Sequence, residues 1–538
     1  MTVDYNIVVL GDGAAARYGA VQARQHLVRV ALVQALPGLD NEGGRGVSQS
    51  PAEWQVVLAA LRHFNYSRYV YQHGPYNLGT LLFQQQAIAP VGSKSGAIDW
   101  AGINWAEMVR SLPLLASAST HPQATATLEQ LGIDVIQGQG QFVADPQLGF
   151  QVETGTTSQR LLRAKSYLIA LDGQAIIPAI AGIESLRYHT LDTFFQPDTF
   201  VSQPQSVLIL SDRPEGVEVA NVLANLGTQV TLVMPSPQLL PLADAEVNQW
   251  VQSSLDASGV RTYLGATVNQ IYPQDQGCVA ELDSYHPLPQ PVDDQDSPSP
   301  GPTRLKADEL LVVMGRQVDF TTLNLRAIAV DYTPHGITVD TRYRTSHHRI
   351  FAMGDAIDHS GAIAQTHHYQ AEGAIALRHA LFQGPLLHTL KAGLSLPPLA
   401  NPPTLPVIVN THPPAAWMGW SEQEARRRYG DRIRILYQPF QSLPQAQAFS
   451  AYIPHATAGF GKLIVLDNGQ IVGVQIVGIQ AEELVNVVAI AMHQSVPMDD
   501  LSQLYPPNPS LTADILREWV AQWERDRPNR QPRLSDWL

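Results

Sequence analysis

The sequence predicts an α/β chain: two strand–turn–helix–strand units in series, then an α+β C-terminal region. Three observations carry this. The runs Asn6–Leu10 and Val28–Val33 enclose the turn GDGAAA and a helical stretch reaching His26. The same skeleton returns at Val207–Leu210, followed by SDRPEGVEVANVLANLG and QVTLVMP. Near the C-terminus, Asp467-Asn468-Gly469 stands between two apolar runs, a hairpin signal, and an amphipathic helix begins at Ala481. Short continuous apolar runs mark strands buried on both faces, as in parallel sheets.

Length and composition bound the rest. A chain of 538 residues is too long for one core and implies roughly two to four domains. No apolar run reaches ~18 residues, so no membrane span is expected. The N-terminus MTVDYNIVVL enters a strand at once, without a basic region or cleavage site, so a cytoplasmic location is expected. The single cysteine, Cys278, excludes an internal disulfide framework. A net charge of -14 argues against wrapping nucleic acid, which needs a basic face.

In the first unit the turn reads Gly-x-Gly-x-x-Ala. Gly11 permits the tight turn, Gly13 lets backbone approach a pyrophosphate, and Ala16 lets the helix pack on the strand. The helix N-terminus favours phosphate there. A plain tight βα turn is the bland alternative; the surrounding strand–helix–strand context favours dinucleotide binding. The second strand ends in Gln34, where an acid usually binds the adenosine ribose. An amide also hydrogen-bonds a hydroxyl.

Far downstream, YRTSHHRIFAMGDAI (Tyr343–Ile357) reads as a turn, then a short apolar strand that stops at Gly354-Asp355. Glycine allows close approach of a ligand, and the carboxylate accepts hydrogen bonds from hydroxyls. Taken alone, such an ending is more often only a turn. Its place, downstream of a nucleotide-binding start, gives it weight.

These motifs together resemble the flavoprotein disulfide reductases, the family of dihydrolipoamide dehydrogenase, glutathione reductase and mercuric reductase. Thr345, Ala352, Gly354 and Asp355 match the family's T-x-x-x-x-x-x-A-x-G-D stretch, which holds the flavin ribityl chain. The resemblance implies one FAD per chain and two Rossmann-like dinucleotide-binding domains, FAD-type and NAD(P)-type, plus an α+β dimerisation domain. It places the FAD domain at residues 1–200 and 321–400, the NAD(P)-type domain at 201–320, and the dimerisation domain at 401–538. It adds Gly43, Gly44, Arg45, Gly140, Ala170, Thr366 and His367 as cofactor-binding candidates, beside Gly11, Gly13, Ala16, Gln34, Gly354 and Asp355. Gln365 to His368 occupy the start of the helix that faces the flavin in relatives.

The same resemblance fails where the family does its chemistry. The family has Gly-Gly-Thr-Cys, four residues, then a second Cys; here Gly46 and Pro51 replace the two cysteines. Gln55 stands at the position of the family's lysine. In the second unit Gly216 and Glu218 are kept, but Ser211 and Arg213 replace loop glycines, which argues against the usual NAD(P)H site. Gly315 and Arg316 match the family's return strand. Near the C-terminus Asn508 and Ala513 replace the family's His-Glu pair, and an amide shuttles no protons near neutral pH.

Three further stretches remain. Residues 71–103 read as a lid, a partner surface or a packed surface loop. Residues 286–303 read as an extended, disordered excursion between strands. His347, His348, His359, His367 and His368 fit no strong ligand template, so no metal is expected. The expectation is a homodimeric FAD-binding oxidoreductase-like protein that is not a disulfide reductase. Its flavin would pass electrons directly to an acceptor; donor, acceptor and catalytic residues are not named by the sequence. The competing expectation is a non-catalytic FAD-binding scaffold or redox-sensing module.

Overall fold

The structure is a computed structural model that describes residues 3–34, 125–144, 148–154, 158–196, 199–200, 202–274, 277–283, 303–359, 365–382, 405–451, 453 and 455–525. Gly43, Gly44, Arg45, Gly46, Pro51 and Gln55 lie outside the described residues, as do the 71–103 stretch and nearly all of 286–303. The chain divides into two units, and the first comprises residues 1–60, 105–203 and 310–398.

The first unit is built on a parallel sheet. Strand β1 (Tyr5–Leu10) pairs with β2 (Val30–Gln34), and β2 with β3 (Asp134–Gln137). On its other edge β1 pairs with the later strand Ala164–Ile169, which pairs in turn with Ile350–Ala352. Val8 thus stands between Ala31 and Tyr167, with no exposed surface. Helix α1 (Ala14–Gln25) buries Ala15, Ala16, Gly19, Ala20 and Ala23. This small-residue face lets it lie close to the sheet and to helix Thr366–Leu381.

Residues 134–143 form two strands. Gly138 breaks them between β3 and β4 (Gln139–Val143). There is a direct reason: a Cβ on Gly138 would sit 2.5 Å from the Glu153 carbonyl oxygen. Strand β4 then joins an antiparallel sheet with Gly149–Thr154 and Ser158–Leu162, where the Phe142 and Phe150 rings meet edge-on at 5.0 Å.

The second unit comprises residues 61–104, 204–309 and 399–538. Its nucleotide-type half has parallel strands Ser206–Ser211, Gln229–Met234 and Arg261–Leu264, with helix Pro214–Asn225 between the first two. Proline at the first helical position suits the start of that helix, where an N–H would have no partner. Its C-terminal half is an antiparallel sheet of order 407–409, 415–419, 471–477, 460–466, 433–439. The expected hairpin is there: Phe460–Leu466 pairs with Ile471–Val477, and Gly469 turns between them at φ 88°. Helix Leu511–Arg525 drives Trp519 and Trp523 into this core. Trp519 fits because Gly461 opposite it has no side chain; a Cβ there would stand 2.7 Å from the indole.

Lys462 is 1 % exposed within this second core. Its Nζ lies 2.8 Å from Asp244 Oδ2, 2.8 Å from Glu246 Oε2 and 3.2 Å from Glu422 Oε2. Such a cation tolerates burial because carboxylates surround it. Among the described residues no helix is long and apolar enough to cross a membrane.

Candidate functional site

The site grows from the β1–α1 turn. Gly11 has φ +138°, and a Cβ there would collide with the Ala170 carbonyl oxygen. Only glycine fits this backbone. The Gly11 amide donates to Val33 O at 3.0 Å and the Ala170 amide to Leu10 O at 2.8 Å, which fixes the turn between its neighbouring strands. Gly13 is the N-cap of α1. No side chain caps this helix, and no acid stands in its first turn. Its leading amides and dipole therefore face outward as an anion cradle.

The distant Gly354-Asp355 turn lies beside this cradle. Gly354 has φ +68°, and a Cβ on it would stand 3.4 Å from Ala15 Cβ at the start of α1. The Gly354 amide donates to Glu372 Oε2 at 2.8 Å. Asp355 Oδ1 accepts from Tyr369 Oη at 2.9 Å, and its Oδ2 accepts from the Gly173 amide at 2.9 Å. Arg316 Nε is 3.3 Å from Asp355 Oδ2, while Arg316 Nη1 donates to both Asp192 oxygens at 2.9 and 3.0 Å. Three chain segments thus aim one carboxylate. A carboxylate has about four lone-pair sites, so it keeps capacity for a hydroxyl.

Gln34 ends β2 and is buried; its Nε2 has no hydrogen-bond partner among the described residues. Its carbonyl accepts from the Gly138 amide at 2.8 Å, which holds the strand end. A buried amide nitrogen without an acceptor is costly, at about 1–3 kcal/mol, unless something polar meets it. Helix Thr366–Leu381 begins with Gln365 as N-cap, whose amide donates to His368 Nδ1 at 3.0 Å. The His367 and His368 rings lie 4.4 Å apart.

Two acids in this region hold protons unusually well. Burial first, helped by the Asp355 charge and opposed by the Gly354 amide, pushes Glu372 up to about 8. Burial first, then the charges of Asp355 and Asp12, pushes Asp172 up to about 7. Arg316 and Arg17 act in the opposite direction on Asp172.

Of the residues singled out in the sequence, Gly11, Gly13, Ala16, Ala170, Gly354 and Asp355 converge at the β1–α1 turn. Gly140 also packs closely in its sheet: a Cβ there would meet the Gln151 carbonyl oxygen at 2.4 Å and Phe150 Cε1 at 2.6 Å. Thr345 turns inward and donates to Ile350 O at 3.0 Å, closing the bend before the Ile350 strand. Pattern reading missed Asp172, Arg316's pairing with Asp355, Tyr369 and Glu372. Glu372 had a signal, a glutamate in an otherwise apolar helical face; Asp172 had one as a charge three residues after a buried strand.

In the second unit the loop after Ser206–Ser211 closes on itself. Ser211 Oγ accepts from the Arg213 amide and donates to the Arg213 carbonyl, both at 3.0 Å. A Cβ on Gly216 would run into the Ser211 side chain, so this glycine now accommodates serine. Glu218 is buried and accepts from the Asn410 amide at 2.6 Å. Asn508 is exposed, and Ala513 is buried in helix Leu511–Arg525. Cys278 is buried on strand Gly277–Asp283. Among the described residues no group of three or more His, Cys, Asp or Glu side chains is placed to hold a metal.

These features fit a dinucleotide. The α1 start without a side-chain cap and the buried Gln34 amide nitrogen, without a partner among the described residues, suit a polar ligand of that kind.

Comparisons with known proteins agree. Residues 5–373 match the model of the pyridine nucleotide-disulphide oxidoreductases, and residues 405–518 match the dimerisation domain of the same proteins. Mercuric reductase of Staphylococcus aureus is 24 % identical over 508 residues, covering 94 % of this chain and 80 % of its own. Dihydrolipoyl dehydrogenase of Bacillus subtilis is 23 % identical over 523 residues, covering 96 % of this chain and 97 % of its own. Among solved structures, LpdA from Mycobacterium tuberculosis matches with TM-score 0.73 at 19 % identity, covering 96 % of this chain and 99 % of its own. A copper(II) complex of the HOCl-induced flavoprotein disulfide reductase RclA from Escherichia coli matches with TM-score 0.71 at 19 % identity, covering 97 % and 100 %. Members such as mercuric reductase and lipoamide dehydrogenase are FAD-binding flavoproteins. This chain belongs to the pyridine nucleotide-disulphide oxidoreductase family.

Proposed function

We propose that the protein is an FAD-dependent oxidoreductase that works without a dithiol, its flavin exchanging electrons directly with a small acceptor or a redox protein. The observation that carries this reading is the lone cysteine. Cys278 is buried, and burial first, with the Glu309 charge behind it, pushes its thiol up to about 11. A thiol so placed neither attacks a disulfide nor forms the intrachain disulfide that stores an electron pair.

Bound FAD would supply reversible two-electron chemistry. The residues that would hold it are Gly11, Gly13 and Ala16 at the pyrophosphate, Gln34 at the adenosine ribose, and Gly354 and Asp355 at the ribityl chain. Gly43, Gly44, Arg45, Gly140, Ala170, Thr366 and His367 complete the proposed set. Residues 1–200 and 321–400 would form the FAD domain, 201–320 the NAD(P)-type domain, and 401–538 a homodimerising domain. A homodimer of this kind buries on the order of 2,000 Å² or more; a monomer by light scattering at micromolar concentration rules it out.

The Ser211–Arg213 closure supports a donor other than NAD(P)H. The purified protein's visible spectrum, followed by anaerobic addition of NADH and then NADPH, tests the reading. A flavin spectrum that neither nucleotide bleaches, yet dithionite does, is expected. Fast bleaching by either nucleotide removes the claim about the donor. Absence of any flavin in a cofactor-saturated sample removes the whole reading.

A further inference from the structure

A carboxyl group stands beside the cradle at the start of α1. A Cβ built on Gly13 would fall inside the Asp172 carboxyl group: all three carboxyl atoms of Asp172 are its nearest neighbours. Asp172 reaches this place because it follows Ala164–Ile169, the strand beside β1, and Ala170 is bonded to Leu10. The bare backbone at Gly13 is where a pyrophosphate would approach the α1 amides. The Asp172 carboxyl and a pyrophosphate would share one helix start.

We propose that Asp172 makes dinucleotide binding proton-linked: its carboxyl shares the Gly13 cradle with the pyrophosphate, so FAD is taken up together with a proton and leaves as the carboxyl ionises. This rests on the FAD reading above and adds its regulation. The charged groups facing Asp172 are Asp12 and Arg17 from the β1–α1 turn and α1, Asp355 from the Gly354 turn, and Arg316 from the return strand. Their signs nearly cancel, so burial decides. The free carboxyl titrates at about 7. A bound pyrophosphate adds negative charge at Gly13 and holds the proton more firmly still. Protonated, the carboxyl is an O–H donor to a phosphate oxygen; ionised, it repels it. The proton comes from solvent on binding and returns to solvent on release.

The test is FAD affinity as a function of pH. Full-length protein is stripped of flavin and titrated with FAD from about pH 6 to about pH 8.5, with quenching of flavin fluorescence as the readout. Wild type is expected to lose affinity by about tenfold for each pH unit above the carboxyl's titration. Calorimetry in phosphate and in Tris should show net proton uptake on binding in that range. Asp172→Asn should bind with little pH dependence and more tightly than wild type at the alkaline end. Asp172→Gly, which removes the group altogether, is the second variant should the amide not fold. Flat wild-type affinity, or equal pH slopes in wild type and either folded variant, overturns the proposal and leaves the FAD reading standing. No FAD binding by any of the proteins at any pH overturns both.

Discussion

The Gly354 amide donates to Glu372 Oε2 at 2.8 Å, and Glu372 sits 3 % exposed in the helix that packs against α1. A buried carboxyl thereby holds the turn that presents Asp355. His359 stands on the same carboxyl, its Nδ1 3.8 Å from Glu372 Oε1 and its Nε2 3.1 Å from the Gly354 carbonyl oxygen.

Glu372 should make the protein less stable in alkali. Its carboxyl ionises at about 8 in the fold, against an ordinary 4.5. Between those values the folded state holds a proton that the unfolded chain has lost. The raised value therefore contributes stability that is complete below about 4.5 and is lost as pH rises through about 8. The wild-type unfolding free energy from urea titration should be lower at pH 8.5 than at pH 6 by on the order of a few kcal/mol. Glu372→Gln keeps an acceptor for Gly354 and should flatten that slope; an unchanged slope would show that another group governs it.

Removing Asp355 should loosen the cofactor more than the fold. Asp355→Ala strips the acceptor from Tyr369 and Gly173 and from any ribityl hydroxyl. Weakening of FAD binding by roughly 1–3 kcal/mol, about five- to 150-fold in Kd, is expected. Tyr369→Phe removes one donor and should cost less. An Asp355→Ala protein that retains FAD through gel filtration as wild type does would contradict this.

Lys462 should be the costliest single loss in the second unit. Lys462→Met leaves Asp244, itself buried, beside Glu422 and the more exposed Glu246 without their cation. Destabilisation of about 3–5 kcal/mol is expected. Adding Asp244→Asn should recover part of it, because the two positions share one interaction. Chemical denaturation of the single and double variants measures both values.

Cys278 should be inert and dispensable. With its thiol at about 11, alkylation by iodoacetamide near neutral pH should be slow in the native protein and fast in urea. Cys278→Ser should leave flavin content and any electron transfer unchanged. Turnover of dihydrolipoamide, glutathione disulfide or mercuric ion well above that of free FAD would refute the proposed chemistry.

The sequence by itself determined the skeleton. Apolar runs bounded by Gly-x-Gly, Gly-Asp and Asp-Asn-Gly specify strand, turn and helix locally, because glycine conformation and side-chain period act over a few residues. Hence β1, α1, β2, the Ile350 strand and the 460–477 hairpin were all legible, and so was the single cysteine. Only the tertiary structure decided which groups meet. Gly354 lies on Ala15 and Asp172 on Gly13 because parallel pairing brings Ala164–Ile169 between β1 and the Ile350 strand. The pKa values of Glu372 and Asp172, the self-closed Ser211 loop and the Lys462 cluster depend on burial and on charges brought together from distant segments. No local pattern encodes that sum, since desolvation and Coulomb interaction depend on distance in space and not along the chain.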